Sequence, residues 1–114
     1  YNKRSYAVAV SSGTAALEIA IKSLNLKKGD EIIIPTFSII STALCVIKFG
    51  LKPVLVDSNL NTWNMDIDEV IKKITNKTKA IIITHIYGFP VDMKKILNLA
   101  KKKRIKCVPT RYGD

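Results

Sequence analysis

The stretch Ala80-Ile81-Ile82-Ile83-Thr84 is apolar at almost every position, so a strand formed from it has no polar face. Four similar runs, each about as long as a strand, occupy residues 7–10, 31–34, 53–56 and 106–108. Strands that are apolar on both faces are typical of parallel sheets covered by helices on each side. These runs therefore predict five buried strands.

Segments between the runs repeat apolar residues at i, i+3, i+4 and i+7, which predicts four amphipathic helices. Their apolar positions are Leu17, Ala20, Ile21 and Leu24; Ile40, Ala43, Leu44 and Ile47; Ile67, Val70, Ile71 and Ile74; and Met93, Ile96, Leu97 and Ala100. Asp66 and Asp92 stand where they would cap the third and fourth helices, and Gly29 and Gly50 where they would end the first two. Because strand and helix alternate, the predicted fold class is α/β, a three-layer, mostly parallel sheet with helices on both faces.

The composition narrows the classes of function. The 114 residues carry 19 Lys and Arg against 9 Asp and Glu, a net charge of +10, and 16 of the cations are lysines. Arginine, which suits phosphate and base contacts, is scarce, so the composition does not favour a nucleic-acid partner. No apolar run approaches the roughly 20 residues that cross a bilayer, so no membrane segment is expected. Cys45 and Cys107 form no CxxC pair, which favours a reduced, cytoplasmic protein.

A turn of small residues is the first candidate site, because ligands of such sheets bind at the carboxyl ends of the strands. Gly13-Thr14-Ala15 follows the first predicted strand and begins a helix, whose first N–H groups can bind a phosphate. The alternative interpretation is an ordinary turn in which Ser12 caps the helix.

A second candidate is His85, the only histidine, which follows the fourth predicted strand together with Tyr87 and should face the same edge. Two roles remain for it, a general acid/base or a hydrogen-bonded structural residue. No metal site is expected, because no other ligand lies at a suitable spacing. Trp63 is expected to pack within its loop, and the alternative interpretation is a platform on which a ligand stacks.

Several sequence blocks occur in order along the chain. They are Ser12-Gly13-Thr14-Ala15-Ala16-Leu17, Lys28-Gly29-Asp30-Glu31-Ile32-Ile33-Ile34-Pro35, Gly50-Leu51-Lys52-Pro53-Val54-Leu55-Val56-Asp57, Asn64-Met65-Asp66, Thr75-Asn76-Lys77-Thr78-Lys79-Ala80-Ile81-Ile82, His85-Ile86-Tyr87-Gly88 and Pro90-Val91-Asp92-Met93. In these blocks the sequence resembles the DegT/DnrJ/EryC1/StrS aminotransferases, pyridoxal-phosphate enzymes that mostly aminate nucleotide-linked keto-sugars. The resemblance covers nearly the whole chain.

The resemblance implies that residues 1–114 are part of the large domain of the aspartate-aminotransferase-like fold (PLP fold type I). It implies pyridoxal phosphate as the cofactor, a nucleotide-sugar and an amino-acid donor as partners, and a homodimer at full length. The turn Gly13-Thr14-Ala15 would hold the cofactor phosphate, Ile39 would cover the pyridine ring, and Thr110 would stand at its nitrogen. His85 and Tyr87 are candidates on the substrate side.

Three departures from the family pattern bear on the chemistry. The family usually has an aromatic residue where Ile39 stands, and an aspartate where Thr110 follows Pro109. A hydroxyl does not hold the ring nitrogen protonated as a carboxylate does. The Schiff-base lysine of the family lies downstream of Asp114, and none of the lysines here matches it. We therefore expect that the 114 residues alone do not transaminate.

Two hypotheses follow from this comparison of matches and departures. The chain is the amino-terminal part of a sugar aminotransferase, which the missing initial Met and the ending at Asp114 favour. Alternatively, it is a non-catalytic binding or interaction module that has kept the phosphate turn, which the residues at positions 39, 109 and 110 favour.

Overall fold

The computed structural model describes residues 4–112, which form one parallel sheet between two layers of helices. In chain order the elements are α1 (Gly13–Ser23), β1 (Glu31–Pro35), α2 (Ser41–Lys48), β2 (Lys52–Val56), α3 (Ile67–Lys73), β3 (Thr78–Ile86), α4 (Met93–Lys103) and β4 (Lys106–Tyr112). The strands lie in the order β2-β1-β3-β4, and every neighbouring pair is parallel. Among these residues no helix has the length and apolar character that a bilayer span requires. The predicted α/β class is confirmed.

Both faces of the two central strands are buried, as their isoleucine runs predict. Ile33, Ile81 and Ile83 pack toward α3 and α4 with Val70 and Ile96. The intervening side chains of the same strands pack toward α1 and α2, and these are Ile32, Ile34, Ala80 and Ile82. Successive side chains of a strand point to opposite faces, so continuous apolar runs form two cores and hence three layers.

The first predicted strand is wrong: residues 7–10 form no strand and are exposed. Val8 keeps 78% of its surface exposed. A strand is held by hydrogen bonds to a neighbour, and no strand of residues 4–112 lies beside this segment. The described sheet therefore has four strands and not five.

Two strands extend further than the apolar runs predict. β3 continues to Ile86 and β4 to Tyr112, so His85 and Thr110 lie inside strands and not after them. Pro109 is tolerated in β4 because β4 is an edge strand, where a missing N–H group leaves no neighbour unpaired. Ile83 pairs with Pro109, and in the same register Thr84 lies opposite Thr110.

The second helix exists, but its predicted buried face is wrong. Ile40, Leu44 and Ile47 are exposed, Ile40 by 69%, whereas Thr42, Cys45 and Val46 are buried against the sheet and α1. None of these residues is charged, so the sequence offers two overlapping stripes. In the tertiary structure the buried face of α2 is the one with the smaller side chains, which let the helix approach its neighbours closely.

Most helix ends follow the local signals. Asp66 accepts hydrogen bonds from two first-turn N–H groups of α3 (2.9 and 3.3 Å), and Asp92 from one in α4 (3.1 Å). Gly50 adopts φ +70° directly after α2. The expectation for Gly29 is wrong, because Asn25 (φ +51°) takes the left-handed position after α1 and Gly29 lies in the next turn.

Arg104 gives a test of helix termination. It ends α4 with φ +57° and ψ +41°, a left-handed conformation that glycine adopts without steric cost. We expect Arg104→Gly to be more stable than Arg104→Ala by about 1 kcal/mol, because both substitutions remove the charged side chain and only glycine relieves the backbone. Urea unfolding midpoints of the two variants measure this difference. Equal midpoints would contradict it.

Candidate functional site

Two clefts at the carboxyl end of the sheet meet at Thr110. The first has a volume of about 330 Å³ and lies between α1 and β4, lined by Gly13, Ala16, Leu17, Ala20, Val108, Pro109, Thr110 and Arg111. The second has about 410 Å³ and is lined by Arg4, His85, Pro109, Thr110 and Arg111. The structure thus brings Gly13, Thr110 and His85 to one edge. No carboxylate or lysine of the described chain lines either cleft, and the charged side chains present are arginines.

The beginning of α1 has the geometry of an anion site. Ser12 caps the helix by accepting a hydrogen bond from the Ala15 N–H group (3.1 Å), which confirms the capping interpretation of this turn, and the phosphate interpretation stays a prediction. Among residues 4–112 the N–H groups of Gly13 and Thr14 have no hydrogen-bond partner, and they lie at the positive end of the helix dipole. A Cβ atom added at Gly13 would meet no heavy atom within 4 Å. The protein alone gives no steric reason for glycine here, so the space is open to a ligand.

Thr110 presents a hydroxyl pair to the edge of the sheet. Its hydroxyl donates to the carbonyl of Ile83 (3.3 Å) and lies 3.2 Å from the hydroxyl of Thr84, which is buried opposite it. Thr84 and Thr110 share the face of Ile82 and Val108, which is the α1 face. The chemistry at this position is that of neutral hydroxyl groups.

His85 is hydrogen-bonded within the fold. Its Nδ1 accepts from the N–H group of Val91 (3.1 Å), which places the proton of the neutral ring on Nε2. Burial of the ring and the positive charge of Arg111 lower the pKa of His85 below its ordinary value. His85 therefore has the hydrogen-bonded structural role. Its Nε2 is the ring atom through which it could transfer a proton. The described residues hold no cluster of His, Cys, Asp and Glu that could bind a metal.

The sequence did not predict that Asn64 belongs to this carboxyl end of the sheet. Its amide is buried (3% exposed), accepts from the N–H group of Ile86 and donates to the carbonyl of Phe89, each at 3.1 Å. It thereby holds both ends of the turn that contains Tyr87 and Gly88, whose φ angles are +47° and +75°. A polar residue inside a polar loop carries no periodic signal, so only the tertiary structure reveals this role.

Tyr87 and Ile39 lie away from these two clefts. Tyr87 lines a separate groove of about 470 Å³ with Phe37, Asn61, Thr62, Trp63, Ile86 and Phe89. Trp63 packs against Phe37 of the loop between β1 and α2, with ring centroids 5.6 Å apart and planes inclined by 50°, so its ring contact is to another loop and not within its own. Ile39 is half-exposed just before α2 and lines neither cleft.

Comparison with known proteins gives a consistent picture. The model of the DegT/DnrJ/EryC1/StrS aminotransferase family matches residues 1–109. GDP-perosamine synthase of Escherichia coli O157:H7 is 43% identical over 104 residues, which are 91% of this chain and 29% of that protein. A dTDP-3-amino-3,6-dideoxy-alpha-D-galactopyranose transaminase of Aneurinibacillus thermoaerophilus is 38% identical (90% and 28%). A UDP-N-acetyl-3-dehydro-alpha-D-glucosamine 3-aminotransferase of Acidithiobacillus ferrooxidans is 42% identical (90% and 28%).

Solved structures show the same fold. NtdA of Bacillus subtilis, solved with bound cofactor PMP, superimposes with a TM-score of 0.83 and 37% identity, covering 87% of this chain and 23% of that one. The Escherichia coli GDP-4-keto-6-deoxy-D-mannose-3-dehydratase with hydrated PLP gives 0.85 and 35% (91% and 28%). The chain therefore spans less than a third of the length of these relatives.

The hydrogen bond of His85 predicts a pH dependence of stability. The folded-state pKa lies below the ordinary value of 6.5, so as the pH falls the unfolded state takes up the proton first. The stabilising contribution is complete above pH 6.5 and is lost as the pH falls through 6.5 toward the lower folded-state pKa. Between pH 7 and 5 the melting temperature of the wild type should therefore fall more steeply than that of His85→Asn, whose amide oxygen can accept from Val91 without titrating. Parallel melting profiles would contradict this.

Proposed function

Since the chain belongs to the DegT/DnrJ/EryC1/StrS aminotransferase family, we propose that it forms the amino-terminal part of the large domain of a pyridoxal-phosphate-dependent aminotransferase that acts on nucleotide-linked keto-sugars. The observation that carries the proposal is the cleft of about 330 Å³ that is lined by both Thr110 and Gly13, whose N–H group has no partner among residues 4–112. The whole protein would use an amino-acid donor, act as a homodimer in the cytoplasm and serve amino-sugar or polysaccharide biosynthesis. The free thiols of Cys45 and Cys107 agree with a reducing compartment.

The phosphate end of the cofactor fits this cleft. Two N–H donors at the start of an eleven-residue helix, an open space over Gly13 and the guanidinium group of Arg111 on the facing strand favour a dianion. These residues would bind and orient the phosphate.

The residues that would surround the pyridine ring of the cofactor do not match those of a standard transaminase. Pyridoxal phosphate acts as an electron sink when its ring nitrogen is held protonated, which a carboxylate achieves and a neutral hydroxyl does not. Thr110 instead donates its hydroxyl hydrogen to Ile83. No described lysine lines the two clefts. For these reasons we propose no transamination by the 114 residues alone.

A second candidate function rests on the same hydroxyl pair. The contact of Thr110 with Thr84 and its bond to Ile83 form a self-consistent polar arrangement within the strand. A module that binds a phosphorylated ligand without reacting with it requires the helix terminus but neither the carboxylate nor the lysine. The residues at this edge support such a module as the alternative.

Ligand-induced stabilisation tests the phosphate cleft. Pyridoxamine phosphate, which does not form imines with lysines, should raise the melting temperature with its concentration, by about 2.7 kcal/mol of unfolding free energy at 100 times Kd. Pyridoxamine, which lacks the phosphate, should stabilise far less. A carboxylate at the start of α1 would repel the phosphate while favouring the helix dipole, so Gly13→Asp should remain folded and lose the response.

The matched control is Asn98→Asp, the same change of charge on the exposed side of α4, which should retain the response. A flat melting temperature with pyridoxamine phosphate and with nucleotide-sugars would exclude both the cofactor cleft and the binding module.

A further inference from the structure

Positive charge is concentrated at the end of the sheet opposite to the two clefts. Four connections lead from a helix to the next strand, and because the strands are parallel, all four lie at the amino end of the sheet. We call this surface the lysine end, and it comprises residues 22–31, 48–52, 72–79 and 101–106. It carries 14 of the chain's 19 lysines and arginines and two of its nine acidic residues, whereas the rest of residues 4–112 carries four and six. The net charge of +10 is therefore a property of one end of the molecule.

We propose that the lysine end docks on an anionic lipid surface and is held there by charge, without insertion into the bilayer. All 14 cations are exposed. Three of them pair with the carboxylates of Glu18, Glu31 and Glu69, and the others pair with no carboxylate among residues 4–112. Lysines close to an anionic bilayer are attracted to it, and the attraction grows with their number. The proposal does not depend on the proposed function.

Hydrogen bonds join the four connections into one continuous surface. The N–H group of Glu31 donates to the carbonyl of Lys77, and that of Lys52 donates to the carbonyl of Asp30, each at 2.9 Å. The ammonium group of Lys106 donates to the carbonyl of Leu24 (3.0 Å), which ties the loop after α1 to the beginning of β4. The clefts and the groove described above are lined by no residue of the lysine end. This surface therefore suits a broad partner better than a ligand that enters a cavity.

The kinds of side chain at the lysine end favour a lipid surface over a protein or a nucleic acid. Arg104 is the only arginine among the 14 cations, and no exposed aromatic residue of the described chain belongs to these connections. Protein interfaces are depleted in lysine and enriched in arginine and aromatic residues. Nucleic-acid sites use arginine to read bases and aromatic rings to stack on them. Lysine is a hydrated point charge, which attracts lipid headgroups without requiring a defined geometry.

The docked orientation leaves the carboxyl end of the sheet free. Gly13 and Thr110 line a cleft at that end, and even the five-residue strand β1 separates the two ends by about 17 Å. The lipid would therefore not cover the clefts. Because the charged residues outside the lysine end nearly balance, the attraction to lipid also orients the molecule, with its clefts directed away from the bilayer.

Sedimentation with lipid vesicles tests the proposal. Vesicles of phosphatidylcholine and phosphatidylglycerol should bind the chain at about 0.1 M NaCl, and more strongly as the fraction of phosphatidylglycerol rises. They should release it at about 1 M NaCl, where the Debye length falls to about 3 Å. Vesicles of phosphatidylcholine alone should not bind it.

Two pairs of substitutions on α4 separate the lysine end from the total charge. Lys102→Gln with Lys103→Gln removes two charges from the lysine end and should lower the partition coefficient by about 30-fold. Lys94→Gln with Lys95→Gln removes two charges about 12 Å farther along the same helix. That distance exceeds the Debye length of about 10 Å at 0.1 M salt, so this control should lower the coefficient by less than about 3-fold.

A third pair makes the result independent of α4. Lys27→Gln with Lys77→Gln removes two charges from other connections of the lysine end and should again lower the partition coefficient by about 30-fold. Thermal unfolding of all three variants verifies that each is folded.

Three results would overturn the proposal. Absence of binding to phosphatidylglycerol vesicles at about 0.1 M NaCl excludes the docking. Equal losses in the Lys102 pair and the Lys94 pair would show that the total charge attracts the lipid and not its placement at one end. Binding of a DNA duplex or of polyglutamate that persists at a salt concentration at which the vesicles release the chain would assign the lysine end to that polyanion.

Discussion

Burial of β1 and β3 on both faces is the constraint on which the rest of the structure depends. Each isoleucine of these strands is almost inaccessible to water, and full burial of such a side chain contributes about 1.5–3 kcal/mol. Both faces must be covered, so α1 and α2 lie on one side and α3 and α4 on the other. Because all four strands run parallel, their carboxyl ends lie together at one end of the sheet. The clefts at Thr110 and the groove at Tyr87 are consequences of this arrangement.

The two edges of the sheet differ in how their polar groups are satisfied. At the amino edge Glu31 accepts a hydrogen bond from Thr75 (2.8 Å) and pairs with Lys52 (3.6 Å), so a buried carboxylate has protein partners. At the carboxyl edge the N–H groups of Gly13 and Thr14 have no partner among the described residues. Unpaired N–H donors cost little free energy where water can hydrogen-bond to them. They stabilise a bound anion when it replaces this water. The asymmetry supports the carboxyl edge as the one that binds small ligands.

The sequence predicted the three layers well because many residues carry the apolar patterns that specify them. The run from Ala80 to Thr84 has no polar face, and no exposed strand would tolerate it. The sequence was less informative for α2, where residues 40, 44 and 47 and residues 42, 45 and 46 are both free of charge. It failed for residues 7–10, because an apolar run makes a strand only when a neighbouring strand is present to pair with it. Asn64 carried no pattern at all, although its two hydrogen bonds hold the turn beside the groove.

By itself the sequence determined the class of fold, the burial of the central strands and the position of the turn at Gly13, because each depends on residues that are close in the chain. Membership of the aminotransferase family follows from the same blocks. Only the tertiary structure decided that Thr110 lies opposite Thr84 inside a strand, that His85 accepts from Val91, and that four distant aromatic rings form one groove. These features depend on strand register and on the packing of loops. Both are determined by contacts between residues far apart in the sequence, which no local pattern contains.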